Sequence, residues 1–205
     1  MFTMKKVRRA LISVWDKQEV GVFAHSLERL GVEILSTGGT SKVLKEAGVA
    51  VREVSDLTGF TELLDGRVKT LHPKIHAGIL AVRDNPEHVK QMEEAGALPI
   101  DLVCVNLYPF QATASKPGAS YAEVVEMIDI GGPALIRSAA KNHRDVAVVT
   151  SAEQYAPILA ELSEKGGISE ETRRHLAAEA FLRTSGYDAA IAGYLGRRRE
   201  GFSGS

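Results

Sequence analysis

Short apolar runs alternate along this chain with segments whose apolar residues recur at helical spacing. Arg9–Trp15 (RALISVW) is apolar and bounded by charge, the pattern of a buried strand. Asp16 follows as a helix N-cap with Glu19 at the capping-box offset, and Phe23, Ala24, Leu27 and Leu30 then mark a helix that stops at Gly31. Val32–Leu35 reads as a second strand, Ser41–Ala47 as a second helix with Gly48 as its stop, and Val49–Val54 as a third strand. A strand–helix–strand–helix–strand order is the signature of a parallel sheet with helices packed on it.

The next helices are expected at His76–Leu80 and from Asn85-Pro86-Glu87 to Gly96. Ile100–Leu107 (IDLVCVNL) is nearly continuous in apolar residues, as in a strand covered on both faces. Gln111–Ser120 reads as a loop and Tyr121–Ile128 as a helix. Asp129–Pro133 breaks that helix, Ala134–Ala140 begins another, which Lys141-Asn142-His143 closes, and Asp145–Thr150 (DVAVVT) is a fifth strand. After Ser151 no strand follows: helices are expected over Ala152–Lys165 and Ser169–Leu195. Residues 1–196 therefore form one α/β domain with extra C-terminal helices, and 197–205, basic and then Gly/Ser-rich, a tail or the start of a linker.

Composition changes this picture only by exclusion. Hydrophobic residues at 44% and charged residues at 25% suit a globule that buries a core without staples. A formal net charge of −1 gives no global field toward nucleic acid or a membrane, so any anion site must be a local cluster. The one cysteine, Cys104, lies in an apolar run; it reads as a buried small hydrophobe, and it leaves no partner for an internal disulfide or a four-cysteine zinc site. No run of eighteen apolar residues calls for a membrane span, and MFTMKKVRRALISVW lacks the apolar core of a signal peptide.

The stretch that stands out chemically is Asp65–Leu80, DGRVKTLHPKIHAGIL. If extended, it sends Arg67 and Lys69 to one side, where two cations repel unless an anion lies between them. That points to a phosphate or carboxamide site, against the alternative of a solvated basic loop. Thr37-Gly38-Gly39-Thr40 precedes a helix N-terminus, where free N–H groups favour phosphate; it is neither GxGxxG nor a P-loop. His72 and His76 stand at i,i+4, but HPKIH lacks the glutamate of HExxH and Pro73 disturbs the first turn, so a non-metal role is favoured. Asp129 is either a cap for the next helix or half of a carboxylate–lysine set with Lys141, itself otherwise a helix-end lysine.

These motifs, SVWDK, STGGT, DLTGF, GRVKTLHPKIHAGIL, VNLYPF and IDIGGPALIRSAAKNH with the late ETRRHLAAEAF…YDAAI, resemble in the same order the inosine-5′-monophosphate cyclohydrolase domain family of purine biosynthesis, from about Arg9 to Tyr194. The resemblance implies a methylglyoxal-synthase-like fold, α/β with a doubly wound, mainly parallel sheet and additional C-terminal helices. It implies dehydrative closure of 5-formamidoimidazole-4-carboxamide ribotide to inosine monophosphate, with no metal or organic cofactor, in a cytoplasmic homodimer. A transformylase domain is expected to follow in a longer protein, so that activity is not expected of this stretch. By the same resemblance Lys69 is the donor near the formyl or carboxamide oxygen, Lys141 the proton acceptor or donor, Asp129 the group that tunes and orients Lys141, and Tyr108 a relay. A lysine that acts as base needs a lowered proton affinity. Ser13, Lys17, Thr37, Gly38, Gly39, Thr40, Arg67 and Thr70 match positions that hold the nucleotide and its phosphate, and Asn106, Ile130 and Gly131 positions around the base. Trp15 departs from the pattern, where serine or a smaller residue is expected. His72 then positions its loop and His76 packs.

Two other classes remain in play. A regulatory module on the same fold needs the phosphate loops but not Lys69, Lys141 and Tyr108. A methylglyoxal-synthase-like lyase needs a carboxylate base beside the phosphate loop, for which the sequence offers no convincing candidate.

Overall fold

Five short strands carry the centre of the molecule: β1 (Arg9–Ile12), β2 (Glu33–Ser36), β3 (Val51–Glu53), β4 (Leu102–Cys104) and β5 (Ala147–Val149). The computed structural model describes residues 4–64 and 66–196; the proposed tail 197–205 and Asp65, the first residue of the basic stretch, lie outside the described residues. All four strand pairings are parallel, in the order β3-β2-β1-β4-β5. Ala10, Leu11 and Ile12 pair with Leu102, Val103 and Cys104 on one side and Ile34, Leu35 and Ser36 on the other. All of these are buried, as continuous apolar runs in a parallel sheet must be. The order reverses direction between β1 and β4, so the loops after these two strands diverge and leave a crevice at their carboxyl ends.

Helices α1 (Val20–Arg29) and α2 (Gly38–Glu46) make the first two crossovers. Three helices, α3 (Val54–Thr58), α4 (Pro73–Leu80) and α5 (Pro86–Glu94), lead from β3 to β4; α6 (Phe110–Ala114), α7 (Tyr121–Glu126) and α8 (Gly131–Lys141) lead from β4 to β5. A 3-10 turn at Ala152–Gln154 precedes α9 (Tyr155–Lys165), and α10 (Glu170–Gly196) closes the described chain. α1 packs with α2 and α9, while α8 packs with α4 and α10. The doubly wound α/β architecture with a parallel sheet and additional C-terminal helices, expected from the resemblance, is the one observed. Among the described residues, no helix is long and apolar enough to cross a membrane.

Several boundaries depart from expectation, each for a local reason. Asp16 does not cap α1: its Oδ1 accepts from the Gln18 N–H at 2.9 Å, a tight turn of its own, and Glu19 takes the cap position at φ 54°. Part of the expected loop Gln111–Ser120 is helical, because Phe110 is buried edge-on against Tyr187 (6.1 Å) and Tyr194 (5.8 Å) of α10, and burial overrides weak propensity. The third strand ends at Glu53, and Val54 and Leu57 are buried instead in the short α3. α4 starts three residues early, at Pro73, since His72 caps it through Nδ1, which accepts from the Lys74 N–H at 3.1 Å. Gly78 is needed there: a Cβ would strike the Leu98 carbonyl, and its own carbonyl accepts from the Ile100 N–H at 2.9 Å.

Candidate functional site

The α2 N-terminus is the natural starting point. Thr37 is extended, α2 begins at Gly38, and no side chain caps the helix, so its first N–H groups face outward with the positive end of the helix dipole. Thr40 is otherwise engaged. Its buried hydroxyl donates to the Val14 carbonyl (3.0 Å) and accepts from the Val14 N–H (3.1 Å), fastening α2 to the end of β1. Above this N-terminus lies an amine: a Cβ at Gly38 would stand 3.1 Å from Lys69 Nζ.

Lys69 reaches that position through a tight turn. Leu63 and Val68 pair in an antiparallel bridge (N–H···O 3.1 and 3.2 Å), with Leu64 at φ 54° and Gly66 at φ 84°. A Cβ on Gly66 would run into the Lys69 side chain, so glycine serves both the turn and the path of the lysine. The segment is thus a turn, not an extended run, and Arg67 and Lys69 do not share one partner. Arg67, two-thirds exposed, pairs with Glu126 at the end of α7; Lys69 Nζ lies 3.4 Å from Glu62 Oε2. Neither carboxylate was legible in the sequence, because the bridge that brings Glu62 alongside Lys69 leaves no periodic signal.

Lys17 completes the cationic pocket from the loop after β1. Its ammonium donates to the Val14 carbonyl and, at 3.2 Å, to the Trp15 carbonyl. Burial holds its pKa below the usual lysine range; Asp16 opposes that shift and nearby Lys69 adds to it. Two amines near enough to repel, over an uncapped helix N-terminus, are built for an anion. Ser13, half-buried just after β1, donates its N–H to the Cys104 carbonyl at 2.9 Å.

The residue after Lys69 joins this pocket to a second helix N-terminus. Thr70 is buried, and a Cβ at Gly131 would stand 3.3 Å from its Oγ1. Gly131 opens α8, exposed Ile130 occupies the cap position, and Asp129 Oδ1 accepts from the Gly132 N–H at 2.8 Å. Burial pushes the Asp129 pKa up, against the lowering effect of the Gly131 and Gly132 amides. Tyr187 of α10 fixes this corner: its hydroxyl accepts from the Asp129 N–H and donates to the Met127 carbonyl, both at 2.8 Å. Tyr187 was not singled out from sequence, since only packing of α10 on α8 brings it here.

Lys141 is not in this cluster. It is the last residue of the eleven-residue α8 that Asp129 caps at the other end, about 15 Å away at 1.5 Å per residue. The expected Asp129–Lys141 pairing does not exist within the chain; Asp129 is the helix cap. Asn106 spans the crevice instead of standing free: its Oδ1 accepts from the Trp15 (2.6 Å) and Asp16 (3.1 Å) N–H groups, and its Nδ2 donates to the Asp16 carbonyl (3.0 Å). A cleft of about 980 Å3 opens at this switch point, between residues 15–18 after β1 and 105–112 after β4, with Tyr108 in its wall. His72 positions its loop and His76 packs, with Nδ1 3.0 Å from Ser138 Oγ. Among the described residues no group of three His, Cys, Asp or Glu side chains is arranged to hold a metal ion.

Residues 19–134 match the family described as MGS-like domain, and residues 139–204 the family described as AICARFT/IMPCHase bienzyme. The bifunctional purine biosynthesis protein PurH of Persephonella marina is 56% identical over 191 residues, which is 93% of this chain and 37% of that protein. PurH of Bacillus mycoides is also 56% identical, over 94% of this chain and 37% of its own length. The chain thus spans little more than a third of these curated relatives. The crystal structure of ForH superposes with a TM-score of 0.82 at 38% identity, covering 92% of this chain and 97% of ForH.

Proposed function

Because the chain belongs to the MGS-like domain family, and corresponds to the N-terminal portion of the bifunctional purine biosynthesis protein PurH, we propose that it is an IMP cyclohydrolase. It closes 5-formamidoimidazole-4-carboxamide ribotide to inosine 5′-monophosphate with loss of water. The observation that carries the reading is the amine pocket: Lys69 over the uncapped N-terminus of α2, with Lys17 beside it and Thr70 linking it to the N-terminus of α8.

In this reading the phosphate lies on the α2 N-terminus between Lys17 and Lys69, with Thr37–Thr40 as its cradle and Ser13 and Arg67 at its margin. The carboxamide nitrogen attacks the formyl carbon and gives up one proton, the formamido nitrogen gives up its own as the ring C=N bond forms, and the formyl oxygen takes both protons and leaves as water. An amide nitrogen is a poor nucleophile, so the enzyme's contribution is alignment plus a donor for the developing oxyanion. Lys69 is held at the phosphate end here, so the donor role that the resemblance gives it falls in this reading to Tyr108 at the cleft wall, and Asp129, Ile130 and Gly131 hold the base side at the α8 N-terminus. None of these steps calls for a metal or organic cofactor. Lys141 takes part only from a second copy, in the homodimer the family resemblance implies. We assign ring closure alone to this stretch, in the cytoplasm, with a transformylase domain belonging to the longer protein.

Two observations favour other readings. The distance of Lys141 from the cluster fits a binder that catalyses nothing. Glu62 beside Lys69 supplies the carboxylate a methylglyoxal-synthase-like lyase needs, which the sequence did not reveal. The test is an absorbance assay of the purified chain with the formylated ribotide and no added metal. Formation of inosine monophosphate supports the cyclohydrolase. Binding without turnover selects the binder, and phosphate release from a triose phosphate the lyase.

A further inference from the structure

Trp15 is the chain's single tryptophan and is 47% exposed. An exposed indole on a loose loop would carry no information, but this loop is fastened. The Trp15 N–H donates to Asn106 Oδ1 at 2.6 Å, its carbonyl accepts from Lys17 Nζ at 3.2 Å, and Asp16 is bound through both its N–H and its carbonyl to the same Asn106 side chain. Asn106 belongs to the segment after β4, so the clamp spans the switch point of the sheet. The indole stands 5.0 Å from the Tyr108 ring at 54°, and both rings line the 980 Å3 cleft. The backbone is therefore fixed, and the half-exposed indole beside Tyr108 lines the cleft. Two residues on, Lys17 enters the amine pocket, so a cation and an aromatic face are carried on one rigid turn.

We propose that Trp15, with Tyr108 behind it, is a substrate-positioning residue: its indole is the wall against which the heterocycle of the bound ribotide stacks. This rests on the cyclohydrolase reading for the identity of the ligand. A ligand that reaches from the amine pocket into the cleft by way of Lys17 needs an anionic end for Lys17 and Lys69 and a flat π-face for Trp15, which a ribotide has and a sugar phosphate lacks. Stacking is indifferent to whether the ring is the single imidazole of the substrate or the fused purine of the product, and the larger product face gains more from it. The wall therefore holds the heterocycle in register through ring closure.

The single tryptophan makes the test direct. Titrating the purified chain with inosine monophosphate is expected to change Trp15 fluorescence saturably, whereas ribose 5-phosphate displaces the nucleotide without producing that change. Replacing Trp15 by serine, the residue expected at this position, is expected to weaken inosine monophosphate binding about five- to tenfold, the low end for stacking on an aromatic side chain. It is expected to leave ribose 5-phosphate affinity alone and to raise KM for the formylated ribotide more than it lowers kcat. Trp15→Phe restores most of the affinity. Equal fluorescence changes with both ligands, or a serine variant with unaltered nucleotide affinity, overturns the wall. Turnover by the unaltered chain is read separately: turnover without a fluorescence change sinks the wall and spares the cyclohydrolase, and a nucleotide-specific change without turnover does the reverse.

Discussion

Asp129 is the residue whose two possible jobs the structure allows to be separated. Its carboxylate accepts from the Gly132 N–H at 2.8 Å at the start of α8, and burial makes its ionised form costly. Asp129→Ala removes the cap and leaves that N–H without its partner, a loss of about 1–2 kcal/mol. In a domain of this size that lowers Tm by roughly 2–8 °C. Asp129→Asn keeps an acceptor in place without the charge, so its Tm at neutral pH is expected to equal or exceed that of the unaltered chain. Gly132→Ala reaches the same contact from the other side: a Cβ there would stand 2.9 Å from Asp129 Cγ and 3.1 Å from Leu107 Cδ2, so the carboxylate must leave. It should cost about 1–3 kcal/mol. Combined with Asp129→Ala it should cost clearly less than the sum, because both changes break one interaction.

Acidity supplies a second readout. The folded Asp129 pKa lies above its unfolded value because burial disfavours the anion. Between those two values the native state holds the proton that the unfolded chain has released. Stability from this group is therefore present below the unfolded pKa, near 4, and declines as pH rises to the folded value. The Tm advantage of Asp129→Asn is expected to grow across that window and then level off. Thermal unfolding of the four variants, followed with pH, together with turnover at neutral pH, decides the matter. An asparagine variant as unstable as the alanine variant, or full additivity with Gly132→Ala, refutes the cap. Full stability of Asp129→Asn with lost turnover gives the carboxylate a chemical task besides capping.

The position of Lys141 makes a further prediction. Lys69→Ala and Lys141→Ala are each expected to abolish turnover, and mixing the two by co-refolding is expected to restore about a quarter of it. In a two-fold dimer half the assemblies are mixed, and each of these has one intact site if Lys141 acts across the interface. No recovery on mixing removes Lys141 from the mechanism or places it within one chain. Cys104, fully buried with its thiol pKa pushed up to about 12, is expected to stay inert toward an aromatic disulfide at pH 8 until the chain unfolds. Labelling of the native protein at the rate of a free thiol would contradict that burial.

What the sequence disclosed and what it concealed follow from the range of the interactions. Strands β1, β2, β4 and β5 were legible because a parallel strand buried on both faces must be a continuous apolar run, and 10–12 and 102–104 are such runs. The cap made by His72 acts within three residues, yet it was not legible, because imidazole is not an expected capping side chain and the helix was expected only from His76. The helix around Phe110 was not, since only Tyr187 and Tyr194, more than seventy residues later, give that ring its pocket. The cation pair was misread for the same reason. A period of two in an extended segment puts Arg67 and Lys69 on one side, but the Leu63–Val68 bridge makes the segment a turn and hands each cation its own carboxylate.

The two helix N-termini explain why so few residues suffice for the site. α2 follows β2 and α8 follows the β4 crossover, so each begins at the carboxyl edge of the sheet with its first N–H groups turned outward. Asp129 occupies the positive end of α8 and leaves the end of α2 open, so the anion site lies at α2 and a polar corner at α8. Lys69 and Thr70 are neighbours in sequence and touch the two ends respectively, so the turn at 63–68 sets the spacing between the phosphate end and the reacting end of a bound ribotide. The site's geometry thus depends on the glycine at position 66 as much as on the lysine it admits.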